Sequence, residues 1–249
     1  MNLSEYTRME KFEKTFWWYK GRFYLLSLIL NKHLPKKEHK QIFEIGCGTG
    51  ETITFLSTYG EVTGIDISPE AVEFCVKKGK KNVILGDIND LDMKIHKGKY
   101  DAVLALDVFE HVREDQKTMK RASEMLSDDG ILLITVPAHK FLWSDHDEAL
   151  QHVRRYHPRE LRHKLTEANL EIMKFSYFVT TAFFPIFLIR MWRNIYWKAS
   201  YHEASYVPLP KKLNKFAINI LKVEARLFQM IGLPVGTTLV AVAKKSDVK

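Results

Sequence analysis

The chain has 249 residues, 46% hydrophobic and 27% charged, which excludes wholesale disorder and suits one large α/β domain with insertions. Two cysteines, Cys47 and Cys75, exclude a disulfide framework, and residues 1–20 hold no apolar export-signal core, so a reducing cytoplasm is the expected compartment. The net charge of +8 is local: residues 1–175 balance at 27 basic and 27 acidic, whereas residues 176–249 carry 11 and 3, which points to one specialised surface rather than to nucleic acid.

In chain order, residues 10–30 read as one helix with few breakers and a dense aromatic cluster that includes Phe16, Trp17, Trp18 and Tyr19. Residues 41–46 form a short apolar strand ending in glycine, residues 51–59 a helix, and Glu61–Asp66 a second strand. Ser68 and Pro69 start the next helix, as N-cap and first helical residue. Strands follow at 82–86 and Tyr100–Leu106, then a helix at 114–126 and an apolar strand at 131–136. Beyond Pro137 the rhythm breaks into a polar, histidine-rich stretch, 138–157. A helix at 158–169, a sixth strand at Leu170–Phe178, a long interruption at 179–236 and a last strand at 237–244 complete the chain. Largely apolar strands alternating with helices indicate a buried parallel sheet covered on both faces.

The first strand runs into Glu44-Ile45-Gly46-Cys47-Gly48-Thr49-Gly50. Glycines let a backbone approach a ligand closely, and the following helix N-terminus favours anionic groups. The dinucleotide fingerprint would space its glycines as Gly-x-Gly-x-x-Gly; here the spacing is Gly-x-Gly-x-Gly, with Glu44 two residues before the first. Asp66 ends the second strand, where a carboxylate can accept from both hydroxyls of a ribose, and Asp87 and Asp107 follow the third and fourth. Taken singly, Asp66 or Asp87 is more often a helix cap or turn residue; together the acids form a constellation at the C-terminal strand ends.

This constellation resembles that of the class I methyltransferases, which bind S-adenosylmethionine (SAM), and the resemblance is close over residues 40–136. It implies a Rossmann-like three-layer α/β sandwich. The sheet would have seven strands, mostly parallel with an antiparallel last strand; the residues of this chain add an N-terminal helix and, where the family usually has a short hairpin, a helical insertion before that strand. Residues 1–40 would be a capping helix, 41–178 the SAM-binding core, 179–236 the insertion and 237–249 the last strand and tail. By resemblance, Glu44, Gly46, Cys47, Gly48 and Gly50 hold SAM, Asp66 and Ile67 its ribose, and Asp87 and Ile88 its adenine. Leu106 and Asp107 would lie at its methionine end, beside the acceptor. Trp18, Tyr19 and Arg22 resemble the closing helix of small-molecule members, where an arginine pairs with the methionine carboxylate.

The stretch after the fifth strand would wall the acceptor pocket through Trp143, His146, Arg155 and Tyr156. An oxygen or nitrogen acceptor must lose a proton, and histidine titrates in the useful range. His146 paired with Asp147, His152, and His111 are the candidate bases. The ordinary alternative has these side chains capping turns and pairing with Arg154 and Arg155. His139, Asp145, His146, Asp147 and His152 match no zinc spacing, so no metal site is assigned.

Residues 183–189 are strongly apolar but too short to cross a bilayer, and Arg190 and Arg193 interrupt their continuation. Trp192, Tyr196 and Trp197 suit a membrane–water interface. After Pro210, Leu213, Phe216, Ala217, Ile220, Leu221, Leu227, Phe228 and Ile231 repeat at helical spacing, with Lys212, Lys215, Lys222 and Arg226 off that stripe. Two readings stay open: a segment lying on the anionic inner face of a membrane, taking a lipid-linked acceptor, or a helical cap over the site or a homodimer interface without a membrane. Nucleic acid is disfavoured, because Asp107-Val108-Phe109-Glu110 replaces the Asp/Asn-Pro-Pro-Tyr/Phe segment of nucleic-acid amino-methyltransferases. The expected activity is methyl transfer from SAM to oxygen or nitrogen of a small-molecule, saccharide or lipid-linked acceptor. The rivals are a non-catalytic SAM-binding adaptor on a membrane or protein partner, and a nicotinamide-dependent oxidoreductase.

Overall fold

The computed structural model describes residues 3–34, 40–196 and 208–246, with the side chains of 3 and 193–196 left aside. Trp197 and the side chains of Arg193 and Tyr196 lie outside the described residues. The strands are β1 (Gln41–Ile45), β2 (Glu61–Asp66), β3 (Val83–Leu85), β4 (Tyr100–Leu106), β5 (Leu126–Pro137), β6 (Leu170–Phe178) and β7 (Thr238–Lys245). They form one seven-stranded sheet in the order β3-β2-β1-β4-β5-β7-β6. β1 to β5 pair in parallel, and β7 slots antiparallel between β5 and β6. This is the mixed sheet that the resemblance implies.

The central strands show why the sheet is buried on both sides. Successive side chains of a strand point to opposite faces. Ile42, Ala102, Leu104 and Leu133 face one core, and Phe43, Val103, Ala105 and Leu132 the other. Helices α6 (Asp115–Met125) and α8 (Pro158–Glu167) cover the second core with Met119, Ala122, Leu161 and Leu165. On the first lie α2 (Trp17–His33), α3 (Glu51–Leu56) and α10 (Lys211–Met230), through Leu25, Leu26, Ile53, Leu221 and Phe228. Helix α4 (Pro69–Lys77) starts as expected, the Ser68 hydroxyl accepting from the Ala71 N–H with Pro69 in the first turn.

The single N-terminal helix expected over 10–30 is instead two, α1 (Leu3–Glu13) and α2, separated by a break in which Phe16 is extended (φ −71°, ψ 137°). The cause is long-range. Asn214 of α10 accepts the Trp17 backbone N–H at 2.9 Å and donates to the Thr15 carbonyl at 2.9 Å, replacing helical hydrogen bonds there.

The insertion holds α9 (Phe183–Tyr196) and α10. Helix α10 packs along α2, where Gly21 admits Leu221 so closely that a Cβ on it would stand 2.2 Å from Leu221 Cδ1. Glu224 is buried and takes the backbone N–H groups of Thr180 and Thr181 at 2.8 and 2.7 Å. The expected apolar stripe therefore divides: Leu221 and Phe228 enter the core, whereas Leu213, Phe216, Leu227 and Ile231 are exposed. No helix among the described residues is long and apolar enough to cross a membrane.

Candidate active site

A cavity of about 1150 Å³ opens at the C-terminal ends of the parallel strands, the edge at which open α/β sheets bind ligands. Gly46, Cys47 and Gly48 of the glycine loop form one wall, whereas Gly50 is not among the lining residues and packs against Cys75. Gly46, Gly48 and Gly50 have φ of 71°, 52° and 77°, in the left-handed region where a side chain is strained. At Gly46 a Cβ would also stand 2.6 Å from Val108 Cγ2. The loop is tied to β2, since Gly46 and Cys47 both donate to the Ile65 carbonyl and the Asp66 carboxylate accepts from Gly48 and Ser68 at 2.9 and 3.0 Å. Burial raises the Asp66 pKa, and these backbone donors pull it back.

Glu44, Ile67, Asp87, Ile88, Leu106 and Asp107 join the same lining. Asp87 accepts the Asn89 N–H at 2.7 Å, so its capping and cavity-facing roles coexist. Glu44 is buried, and one of its carboxylate oxygens has no hydrogen-bond partner. Burial pushes its pKa well above the ordinary carboxyl range, opposed by the Arg22 guanidinium. A cradle that a Cβ would fill, Asp66 against the loop and an orphaned buried carboxylate fit SAM, which is slim at the pyrophosphate-free backbone and cationic at the methionine end.

The N-terminal helices close the cavity. Trp18, Tyr19 and Arg22 all line it, and so do Tyr6, Met9 and Glu13 of α1. Burial pushes the Tyr6 phenol up to about 12. Arg22 pairs with Asp107 at 3.0 Å and lies 4.6 Å over the Trp18 ring. Asp107 also accepts from Thr135 at 3.1 Å and holds φ 57°, a conformation that aspartate tolerates better than most residues. Glu13, joined to Thr49 of the glycine loop by a short hydrogen bond, is a contact that no local sequence pattern announced.

The histidine-rich stretch forms the opposite wall. His146 lines the cavity and feels the neighbouring Asp147 charge, but the hydrogen bonds that hold Asp147 go to other residues. Asp147 is held instead by His152 Nδ1 at 2.9 Å and by Arg155 Nε and Nη2 at 2.6 and 3.0 Å. Ser144 caps the short helix α7 (Asp145–Ala149) in a capping box with Asp147, which fixes that carboxylate on the helix. Burial and the nearby Arg190 push the His146 pKa down to about 3, which makes it a weak proton acceptor. His111 faces the cavity solvent but is hemmed in by protein, and burial with the His152 charge lowers it to about 4.

Two acceptor residues need correction. Tyr156 is a core residue, donating to Asp115 at 2.6 Å and the Phe109 carbonyl at 3.1 Å, and is not among the cavity-lining residues. Trp143 lies outside that lining as well, with its indole N–H on Glu148. Arg155 reaches the cavity edge but serves chiefly to clamp Asp147. Ile186, Ile189 and Arg190 of α9 also line the cavity, which ties the basic insertion to the site.

Comparison with known proteins decides the family. The family model described as a methyltransferase domain matches residues 18–174. The chain belongs to the methyltransferase domain family. It is thus of the class I, SAM-dependent group that its motifs resemble. A ubiquinone biosynthesis O-methyltransferase of Actinobacillus pleuropneumoniae is 26% identical over 154 residues, covering 54% of this chain and 66% of that protein. The (S)-coclaurine N-methyltransferase of Papaver somniferum is 27% identical over 115 residues, 43% of this chain and 32% of that one. The match thus spans less than two thirds of the length of these curated relatives. A SAM-dependent methyltransferase of Archaeoglobus fulgidus shares the fold, with a TM-score of 0.59 and 18% identity over 96% of this chain and 98% of that one.

Proposed function

We propose that this methyltransferase-family protein moves the methyl group of SAM to an oxygen or nitrogen atom of a small-molecule, saccharide or lipid-linked acceptor. One observation carries the reading: the glycine cradle and the Glu110, His111 and His152 side chains line a single cavity. The donor lies along Gly46–Gly50 with its ribose on Asp66, its adenine by Asp87 and Ile88, and its methionine end toward Glu44, Arg22 and Asp107. The acceptor enters on the side of His111, His152 and Arg190. Methyl transfer forms the acceptor–carbon bond as the carbon–sulfur bond breaks, with the electron pair returning to sulfur. An in-line displacement of this kind draws much of its rate from positioning. The acceptor's proton leaves to solvent on the side of the cavity bordered by Glu110, His111 and His152.

A lipid-linked acceptor delivered at a membrane is the favoured class. Phe184, Leu188 and Trp192 of α9 are exposed on the helix whose Ile186 and Ile189 line the cavity. Lys211, Lys212, Lys215 and Arg226 are exposed on α10, within the segment that holds the whole charge excess. An apolar face flanked by cations suits the anionic inner face of a membrane, and the protein would bind there peripherally from the cytoplasm.

The test incubates the protein with methyl-labelled SAM and cell extract, then separates lipid from aqueous products. Label in a lipid or small-molecule fraction is expected; SAM binding with no label in any fraction would instead indicate an adaptor. Flotation with vesicles rich in phosphatidylglycerol should carry the protein upward at low salt, and a protein that stays at the bottom is not membrane-associated.

A further inference from the structure

We propose that Glu110, His111 and His152 bind a divalent transition-metal cation of the zinc type at the acceptor side of the cavity. The inference rests on the methyl-transfer reading and specifies how that site takes its acceptor. One carboxylate oxygen of Glu110 and one ring nitrogen from each histidine all lie within 4.8 Å of one another. A set of two imidazoles and one carboxylate, with a further position open to a cavity, is the donor chemistry of a catalytic rather than a structural zinc site.

Three further observations point the same way. Glu110 is 1% exposed, and its Oε2 is buried with no hydrogen-bond partner among the described residues. A buried carboxylate oxygen left in that state is costly unless a cation or a proton satisfies it, and two imidazole nitrogens beside it favour a cation shared among the three. His152 approaches Glu110 through Nε2, at 3.9 Å, while its Nδ1 is occupied by Asp147 at 2.9 Å. A carboxylate on the far nitrogen of a histidine fixes the ring's tautomer and orientation and makes the near nitrogen a better ligand. Asp147 is itself immobilised by Arg155 through two hydrogen bonds, so the ligand has a rigid outer layer. Finally, His111 and His152 meet edge to face with ring centres 4.8 Å apart, and Gln151, the residue before His152, holds φ 59°. A left-handed turn at a non-glycine residue is retained where the surroundings enforce it, here delivering His152 to the cluster.

The chemistry names an acceptor class. A hydroxyl oxygen bound at the open position would lose its proton to solvent more readily, because the cation stabilises the alkoxide or phenolate. That oxygen then forms the new bond to the methyl carbon while sulfur keeps the electron pair of the broken bond. The site therefore selects hydroxyl acceptors over amines, whose nitrogen lone pair needs no such activation once deprotonated.

The test uses the full chain stripped with EDTA and titrated with Co2+ alone, followed by visible absorption, with SAM binding measured by calorimetry on the same stripped protein. One equivalent of Co2+ should give the intense absorption of a four- or five-coordinate site, displaced by Zn2+. Glu110→Gln, His111→Asn and His152→Ala should each lower Co2+ affinity at least tenfold, whereas His163→Ala, at an exposed histidine outside the cavity lining, should leave it unchanged. Circular dichroism and SAM binding report whether each variant is folded. Stoichiometric binding that survives in two folded ligand variants, or no specific binding to protein that binds SAM, overturns the metal site while leaving the methyltransferase reading intact. Failure to bind SAM at all overturns that reading instead.

Discussion

Replacing Asp66 by alanine examines the donor site at its most connected point. The carboxylate accepts from the Gly48 and Ser68 backbone N–H groups at 2.9 and 3.0 Å, one on each oxygen, which leaves a lone pair on each for a ribose hydroxyl. A hydrogen bond to a charged group is worth about 1.5–3 kcal/mol net. Because both oxygens already share their charge with backbone donors, the lower end applies, and part of the loss falls on the free protein as two untethered N–H groups. The expected weakening of SAM binding is about 1–3 kcal/mol, or roughly 5- to 150-fold in Kd. Calorimetric titration with SAM and with S-adenosylhomocysteine should show the same loss for both, since the two ligands share the ribose. Affinity within twofold of the parent protein, in a variant that remains folded, would refute the ribose assignment.

Other perturbations reach other parts of the molecule. Gly21→Ala drives a Cβ to 2.2 Å from Leu221 Cδ1, and overpacking of that kind costs about 1–3 kcal/mol, a fall in Tm of roughly 2–12 °C; a second change, Leu221→Ala, should relieve the clash, and an unchanged melting curve for Gly21→Ala alone would mean that α10 does not rest on α2. Glu13 and Glu44 have pKa values raised by burial, so in the empty protein they hold protons above the ordinary carboxyl range, and their ionisation costs stability as pH rises from that range toward the raised values. The cationic methionine end of SAM favours the carboxylates, so binding should release protons and tighten as pH rises; calorimetry in buffers of different ionisation enthalpy measures this, and zero proton exchange would contradict it. His146→Ala should spare both turnover and SAM affinity, whereas His152→Ala should abolish turnover and keep SAM affinity; equal activity in the two would show that the Asp147–His152 pair has no part in catalysis.

The sheet was legible because its strands are apolar runs bounded by turn residues. The limits of β2, β4 and β6 fall where alternation and flanking glycine or aspartate place them, and Asp66, Asp87 and Asp107 follow their strands into one cavity. Illegible were contacts joining residues far apart in the chain. The break before Trp17 depends on Asn214, 197 residues away. Asp147 adjoins His146 in sequence, yet on a short helix neighbouring side chains diverge, and it is His152 beyond the turn that returns to meet it. Glu110 carried no local sign of its role, because only the fold brings His152 beside it. Tyr156 looked like a pocket residue from its aromatic, basic surroundings, but a hydroxyl that finds Asp115 can be buried at little cost.

The register of β6 with β7 has a consequence for how such a protein can change. Phe178 stands opposite Thr238 on the last rung of the ladder, so the segment between them leaves and re-enters the sheet at a single point. Closing a chain excursion costs little more as it lengthens, about 0.6 kcal/mol for each doubling. The sheet is therefore nearly indifferent to the size of what hangs from that rung. Here it carries helices that line the proposed acceptor side and hold the cationic surface, while the proposed donor cradle is built from the ends of β1 to β4 and the N-terminal helices, with Thr135 of β5 holding Asp107. A lineage could exchange one roof for another, and with it the molecules admitted beneath, provided the new segment still supports α2 as Asn214 and Leu221 do here.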